Sequence, residues 1–120
     1  MGRFITVLEL LPTICGVGML YNMASTQLVN RREVVAEDAF IEVVIWRLPR
    51  PLPPSEHRFK YRLAYVVRGN CVIRYDNERG KGDHRHTEGR EREYVFRDLE
   101  KLMDDFRNDI RRWNSANRDS

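Results

Sequence analysis

Cysteine is scarce in this chain. Cys15 and Cys71 are the only two among 120 residues, too few for the disulfide framework of a small secreted domain. Cys71 follows a turn inside a strand-like run and reads as a buried thiol in a reducing compartment. No His or Cys stands beside it, so no nucleophilic role is expected of it. There is no P-loop, which argues against a nucleotide-hydrolysing motor, and there are no internal repeats. Long apolar runs are missing too, with one partial exception: Phe4 to Leu20 imitates a secretory h-region behind Arg3, but Glu9 and Pro12 interrupt it and no small-x-small cleavage site follows. That run is short for a membrane span. Residues 1–22 therefore read as an extension, explained first by an upstream start assigned ahead of Met23 and second by a genuine appended helix that anchors or oligomerises the protein.

What is present describes one domain. Hydrophobic residues make up 42% and charged residues 32%, a balance that sustains a modest core and excludes wholesale disorder. The domain is expected over residues 23–113, with a polar tail at 114–120 that frays. Four of the five prolines, Pro49, Pro51, Pro53 and Pro54, crowd one stiff connection that cannot continue a central strand. The net charge of +3 conceals an asymmetry. From Arg47 to Arg92 there are twelve Lys or Arg against six Asp or Glu, giving +6, while the remainder carries nine against twelve, giving −3. Such a field attracts a nucleic-acid backbone or an acidic partner, although arginines on strand surfaces also serve to discourage edge pairing.

The pattern predicts α+β: an antiparallel sheet of four or five strands with one long C-terminal helix on one face. Gln27 to Val35 reads as a first strand, Glu37-Asp38 as a turn, and Ala39 to Arg47 as a second strand. In that strand Ile41, Val43 and Ile45 share one side, and Phe40, Val44 and Trp46 the other. A third strand runs from His57 to Val67, a Gly69-Asn70 turn follows, and a partner strand starts at Cys71. Tyr94-Val95-Phe96 is a short extended piece. Asp98 caps a helix running to Trp113, along which Leu99, Leu102, Met103, Phe106, Ile110 and Trp113 form an apolar stripe. Arg111 and Arg112 suit its C-terminal end. Asp104, Asp105 and Asp109 are expected on its solvated face.

The chemistry concentrates between Arg74 and His86, which holds two of the three histidines. Gly80 and Gly82 permit a loop that offers Lys81, Asp83, His84, Arg85 and His86 from one edge of the sheet. Donors, fixed positive charge and imidazoles are what phosphodiester chemistry requires. The same stretch also reads as a solvated connection. A metal is a further reading, since His-x-His on an extended segment points both rings one way, with Asp76, Asp83 or His57 to complete the set. Lys81 and Arg85 crowd the segment with positive charge, which favours an anion and leaves the expected site without a metal or other cofactor. His57, at the entry to the third strand, joins only if the sheet brings it near His84. Tyr61, Tyr65 and Tyr75 either stack on bases or pack on the sheet.

Tyr61 to Val67, Arg74 to Glu78, Gly80 to His86, Tyr94-Val95-Phe96 and Asp105-Phe106 together resemble the TumE family of small toxins from bacterial and archaeal toxin–antitoxin systems. The likeness runs from about Gln27 to Arg112. It implies a growth-inhibiting toxin neutralised by a partner, typically a helix-turn-helix antitoxin encoded beside it, and brings no catalytic assignment with it. From residue chemistry, the expected activity is metal-independent cleavage of RNA in the cytoplasm, with no membrane involved. In that reading His84 and His86 exchange protons, Asp83 orients an imidazole, and Arg85 or Lys81 stabilises the phosphate. Arg74, Tyr75, Asn77, Gly80 and Gly82 contact the substrate. The alternatives are a non-catalytic RNA- or ribosome-binding module and an enzyme that modifies RNA or nucleotides.

Overall fold

The structure is a computed structural model and describes residues 24–118, so the expectations for residues 1–22 lie outside it. Six strands form one antiparallel sheet in chain order: β1 (Thr26–Ala36), β2 (Ala39–Arg47), β3 (Phe59–Val67), β4 (Asn70–Glu78), β5 (Gly82–Thr87) and β6 (Arg90–Glu93). The helix α1 (Leu99–Asn117) follows. The α+β class is as expected, and the strand count is six where four or five were expected. The difference has one source: the Gly80 to His86 segment, read as a loop, is mostly strand β5. Glu88 (φ 53°) and Gly89 (φ 74°) turn it back into β6, a two-residue hairpin with both φ positive. Tyr94-Val95-Phe96, expected as a short extended piece, follows β6 outside the sheet.

Strand alternation sorts the core. Ile41, Val43 and Ile45 pair with Tyr65, Leu63 and Tyr61, and Tyr65 and Leu63 pair onward with Ile73 and Tyr75. All of these point to the face on which Leu102 and Phe106 of α1 are fully buried. Each such side chain contributes about 1.5–3 kcal/mol relative to exposure. The three tyrosines therefore pack in the core and are not presented to bases. The helix begins as predicted, with Asp98 Oδ1 accepting from Lys101 N at 2.7 Å. It continues four residues beyond Trp113, to Asn117, so Arg111 and Arg112 are not in its last turn. Arg118 then reaches Asp38 at 2.7 Å, tying the helix end to the β1–β2 turn.

Two smaller expectations shift. The β3–β4 turn is Arg68-Gly69, with φ of 50° and 81°, one residue earlier than Gly69-Asn70. Cys71 is exposed, because it sits at the register break where β4 leaves the turn. The proline-rich connection buries Leu48 and Leu52 and packs against the β4–β5 turn, where Gly80 N donates to Pro53 O at 2.8 Å. Gly82 has φ +82°, and a Cβ there would lie 3.1 Å from Pro54 Cγ, so glycine is required at that position. The two glycines thus fasten the turn to the connection.

Candidate site on the far face of the sheet

Register decides what the charged segment presents. Arg74 faces His86, Tyr75 faces Arg85, Asp76 faces His84 and Asn77 faces Asp83 across β4 and β5. Alternate residues point to opposite faces. Tyr75, Asn77, Asp83 and Arg85 accordingly lie on the helix side, and Arg74, Asp76, His84 and His86 on the far side. The five residues expected to converge are split, with Asp83 and Arg85 separated from the two histidines by the sheet itself.

On the helix side the carboxylates are engaged, although Arg85 Nε there is buried without an aligned partner. Asp83 accepts from Ser55 Oγ, from His57 Nε2 at 2.7 Å and from Tyr61 Oη at 2.7 Å. Burial works to raise its pKa, but the bonds from His57, Ser55 and Tyr61 prevail and hold the carboxyl below its ordinary value. Asp83 does orient an imidazole, that of His57. Phe59 N donates to His57 Nδ1 at 3.1 Å, which leaves Nε2 as the protonated nitrogen and no ring nitrogen for catalysis. The ring stacks on Phe96 at 3.8 Å, and Pro54, Glu56 and Arg97 complete a depression above it.

Two further expected contacts prove to be interior. Asn77 is fully buried; its Oδ1 accepts from Tyr61 N at 3.1 Å and its Nδ2 donates to Phe59 O at 2.7 Å. The side chain thereby stands in for a missing ladder rung between β3 and β4. Tyr75 Oη donates to Asp109 Oδ2, and Arg85 Nη1 donates to Tyr75 Oη at 2.8 Å and lies 3.3 Å from the same carboxylate oxygen. Burial, followed by the bond to Asp109, raises the Tyr75 hydroxyl pKa well above its usual value. Asp109 is thus a buried acceptor beneath α1. Asp105 accepts from Tyr94 Oη at 2.6 Å, leaving Asp104 as the acidic residue that stays outermost, paired with Arg107.

The far side is arranged differently. His84 is 3% exposed, with Nδ1 at 3.1 Å from Gly82 O and Nε2 at 2.7 Å from Asp76 Oδ1 and 3.0 Å from Glu91 Oε2. Lys81 Nζ sits 2.7 Å from Glu91 Oε2; that bond raises the Lys81 pKa and lowers that of Glu91. Arg74 Nε lies 3.4 Å from Asp76 Oδ2. Despite these approaches, Arg74 Nε, Asp76 Oδ1, His84 Nε2 and His86 Nδ1 are buried without an aligned hydrogen bond. Groups in that condition are costly, and each calls for an ordered water, an ion or a reacting partner. Ligand atoms of Asp76, Glu78 and His84 all lie within 4.8 Å of one another. Arg62, paired with Asp76 in register, and Glu42, 3.8 Å from Arg62, extend the charged row toward β1.

Asp76 was weighed from sequence only as a possible ligand, and Glu78, Glu91 and Arg62 were missed. The signal was present: Arg79-Gly80-Lys81 forms a short hairpin turn, and closing the strands on it sets His84 opposite Asp76. Among the described residues no helix is long and apolar enough to cross a membrane. A family model described as Toxin TumE matches residues 19–114. Neither a curated protein nor a solved structure matches the chain.

Proposed function

The chain belongs to the TumE toxin family, and from that premise we propose that it arrests growth by cleaving RNA on the far face of β4 and β5. A cognate antitoxin, of the helix-turn-helix kind and encoded nearby, silences it. The observation that carries this reading is the placement of His86, half-buried, beside Arg74 on a single face. In the reaction the half-buried His86 imidazole takes the proton of a ribose 2′-hydroxyl, whose oxygen attacks the adjacent phosphorus. The bond to the 5′ oxygen breaks, and that oxygen collects a proton from solvent. Arg74 offers its guanidinium to the phosphate as negative charge develops there. Lys81, at the turn, contributes positive field along the strand.

His84 does not reach the substrate in this scheme, since it is buried and its neighbours are all protein acceptors. It instead fixes the arrangement of Asp76 and Glu91 beside the reacting residues. Arg85 and Asp83, on the other face, keep the strand in place. Inducing the protein in cells that lack the antitoxin tests the reading: RNA fragments with the native sequence, and intact RNA with His86→Ala, are expected. Growth arrest by the native protein with intact RNA would favour the second reading, a module that grips RNA or the ribosome without chemistry. The basic segment from Arg47 to Arg92 supports that alternative equally well.

A further inference from the structure

Every neighbour of the His84 ring nitrogens is an acceptor. Nδ1 faces the Gly82 carbonyl at 3.1 Å, and Nε2 faces carboxylate oxygens of Asp76 and Glu91 at 2.7 and 3.0 Å. A neutral imidazole carries a single N–H. If the proton rests on Nδ1 and serves Gly82, the Nε2 lone pair points into oxygens, which lowers the energy only when a positive species, a second proton or a metal ion, lies between them. Nε2 and Asp76 Oδ1 are both buried and, although 2.7 Å apart, neither has an aligned hydrogen bond.

We propose that Asp76, Glu78 and His84 bind one divalent cation of borderline hardness, Mn²⁺ or Zn²⁺. The donor set of one imidazole and two carboxylates suits such ions better than soft or strictly oxygen-seeking ones. Ligands about 2.1 Å from a common ion lie at most about 4.2 Å apart, so a cluster within 4.8 Å needs at most a side-chain adjustment of about half an ångström to close on an ion. The Nδ1 contact to a backbone carbonyl is the outer contact that metal-bound histidines ordinarily make, fixing the tautomer so that Nε2 binds. Of the cations on this face, Arg74 lies against Asp76 Oδ2, the oxygen turned from the ring, Lys81 against Glu91 Oε2, and Arg62 toward Glu42. The sequence argument against a cation counted Arg85 beside Lys81, and Arg85 is on the opposite face of the sheet. Glu78 is exposed, so the ion keeps open positions toward solvent. The site adjoins the proposed RNA-cleaving residues, but the inference does not rest on that reading, and its test needs no RNA.

The test is titration of chelator-treated full-length protein with Mn²⁺ and with Zn²⁺, read by calorimetry. One equivalent of one of these ions is expected to bind, and Glu78→Gln, an exposed change that spares the fold, is expected to weaken it about tenfold or more. Asp76→Asn weakens it further, while Lys81→Ala tightens it by removing a positive charge beside the site. With Zn²⁺, the imidazole nitrogen resonances of His84 shift and those of His57 and His86 do not. Absence of binding by both ions at millimolar concentration would overturn the proposal. So would binding indifferent to both Glu78→Gln and Asp76→Asn, or ring shifts confined to another histidine. If RNA cleavage fails while the ion binds as described, the cation site stands and the nuclease reading falls.

Discussion

The two faces of the β4–β5 hairpin carry similar residues in opposite conditions. On the helix side, the carboxylates of Asp83 and Asp109 receive hydrogen bonds from Ser55, His57, Tyr61, Tyr75 and Arg85. On the far side, Arg74, Asp76, His84 and His86 each hold a buried polar atom without an aligned partner, against Arg85 Nε alone on the helix side of the hairpin. Satisfied networks rigidify a fold, whereas unsatisfied ones are retained where they serve a ligand or a reaction. A single thirteen-residue stretch thus supplies both the fastening and the face proposed to react, divided by strand parity.

Removing a fastening group should therefore cost stability, and the largest loss is expected at Asn77. Asn77→Ala leaves Tyr61 N–H and Phe59 C=O buried without partners, at about 3 kcal/mol or more in total. Urea unfolding measures it, and a loss below about 0.5 kcal/mol would remove Asn77 from the structural side of the comparison. Asp83→Asn comes next. The depressed Asp83 pKa gives stability that is fully present above the ordinary carboxyl value of about 3.9 and is lost as pH falls through the lower folded value. The native protein should thus weaken in acid below about pH 4, and the variant, already weaker near neutrality, should show a flatter acid limb. Identical acid limbs would mean that the His57–Asp83–Tyr61 cluster does not hold its charge as described.

Arg85→Ala should cost about 1 kcal/mol, since Tyr75 keeps its bond to Asp109 and the guanidinium is partly solvated. Toxicity should survive in proportion to the folded fraction. Loss of toxicity without loss of stability would return Arg85 to the reactive set and break the division by face.

Much of the fold was legible because its signals are local. Ala39 to Arg47 has the bounds expected, Asp98 caps the helix, and the stripe from Leu99 to Trp113 packs where its spacing places it. The shared orientation of His84 and His86 was legible from the same alternation. Register was not. Two glycines and a dense run of charge disguised β5 as a loop, and its place in the sheet depends on Gly80 meeting Pro53 and Gly82 meeting Pro54, contacts between segments far apart in sequence. With the strand mistaken for a loop, Asp83 and Arg85 were assigned to the histidines, although parity sends them to the other face. Asp109 was misplaced for a related reason: an acidic residue beside an apolar stripe reads as solvated until Tyr75 and Arg85 are seen reaching it.

The most direct test compares His86→Ala with Arg85→Ala for unfolding midpoint, growth inhibition and RNA integrity in cells without antitoxin. The account predicts that His86→Ala keeps its stability to within about 0.5 kcal/mol while losing both growth inhibition and RNA cleavage, and that Arg85→Ala loses stability while its folded fraction stays active. A fully toxic His86→Ala, or an inactive Arg85→Ala of native stability, would contradict it.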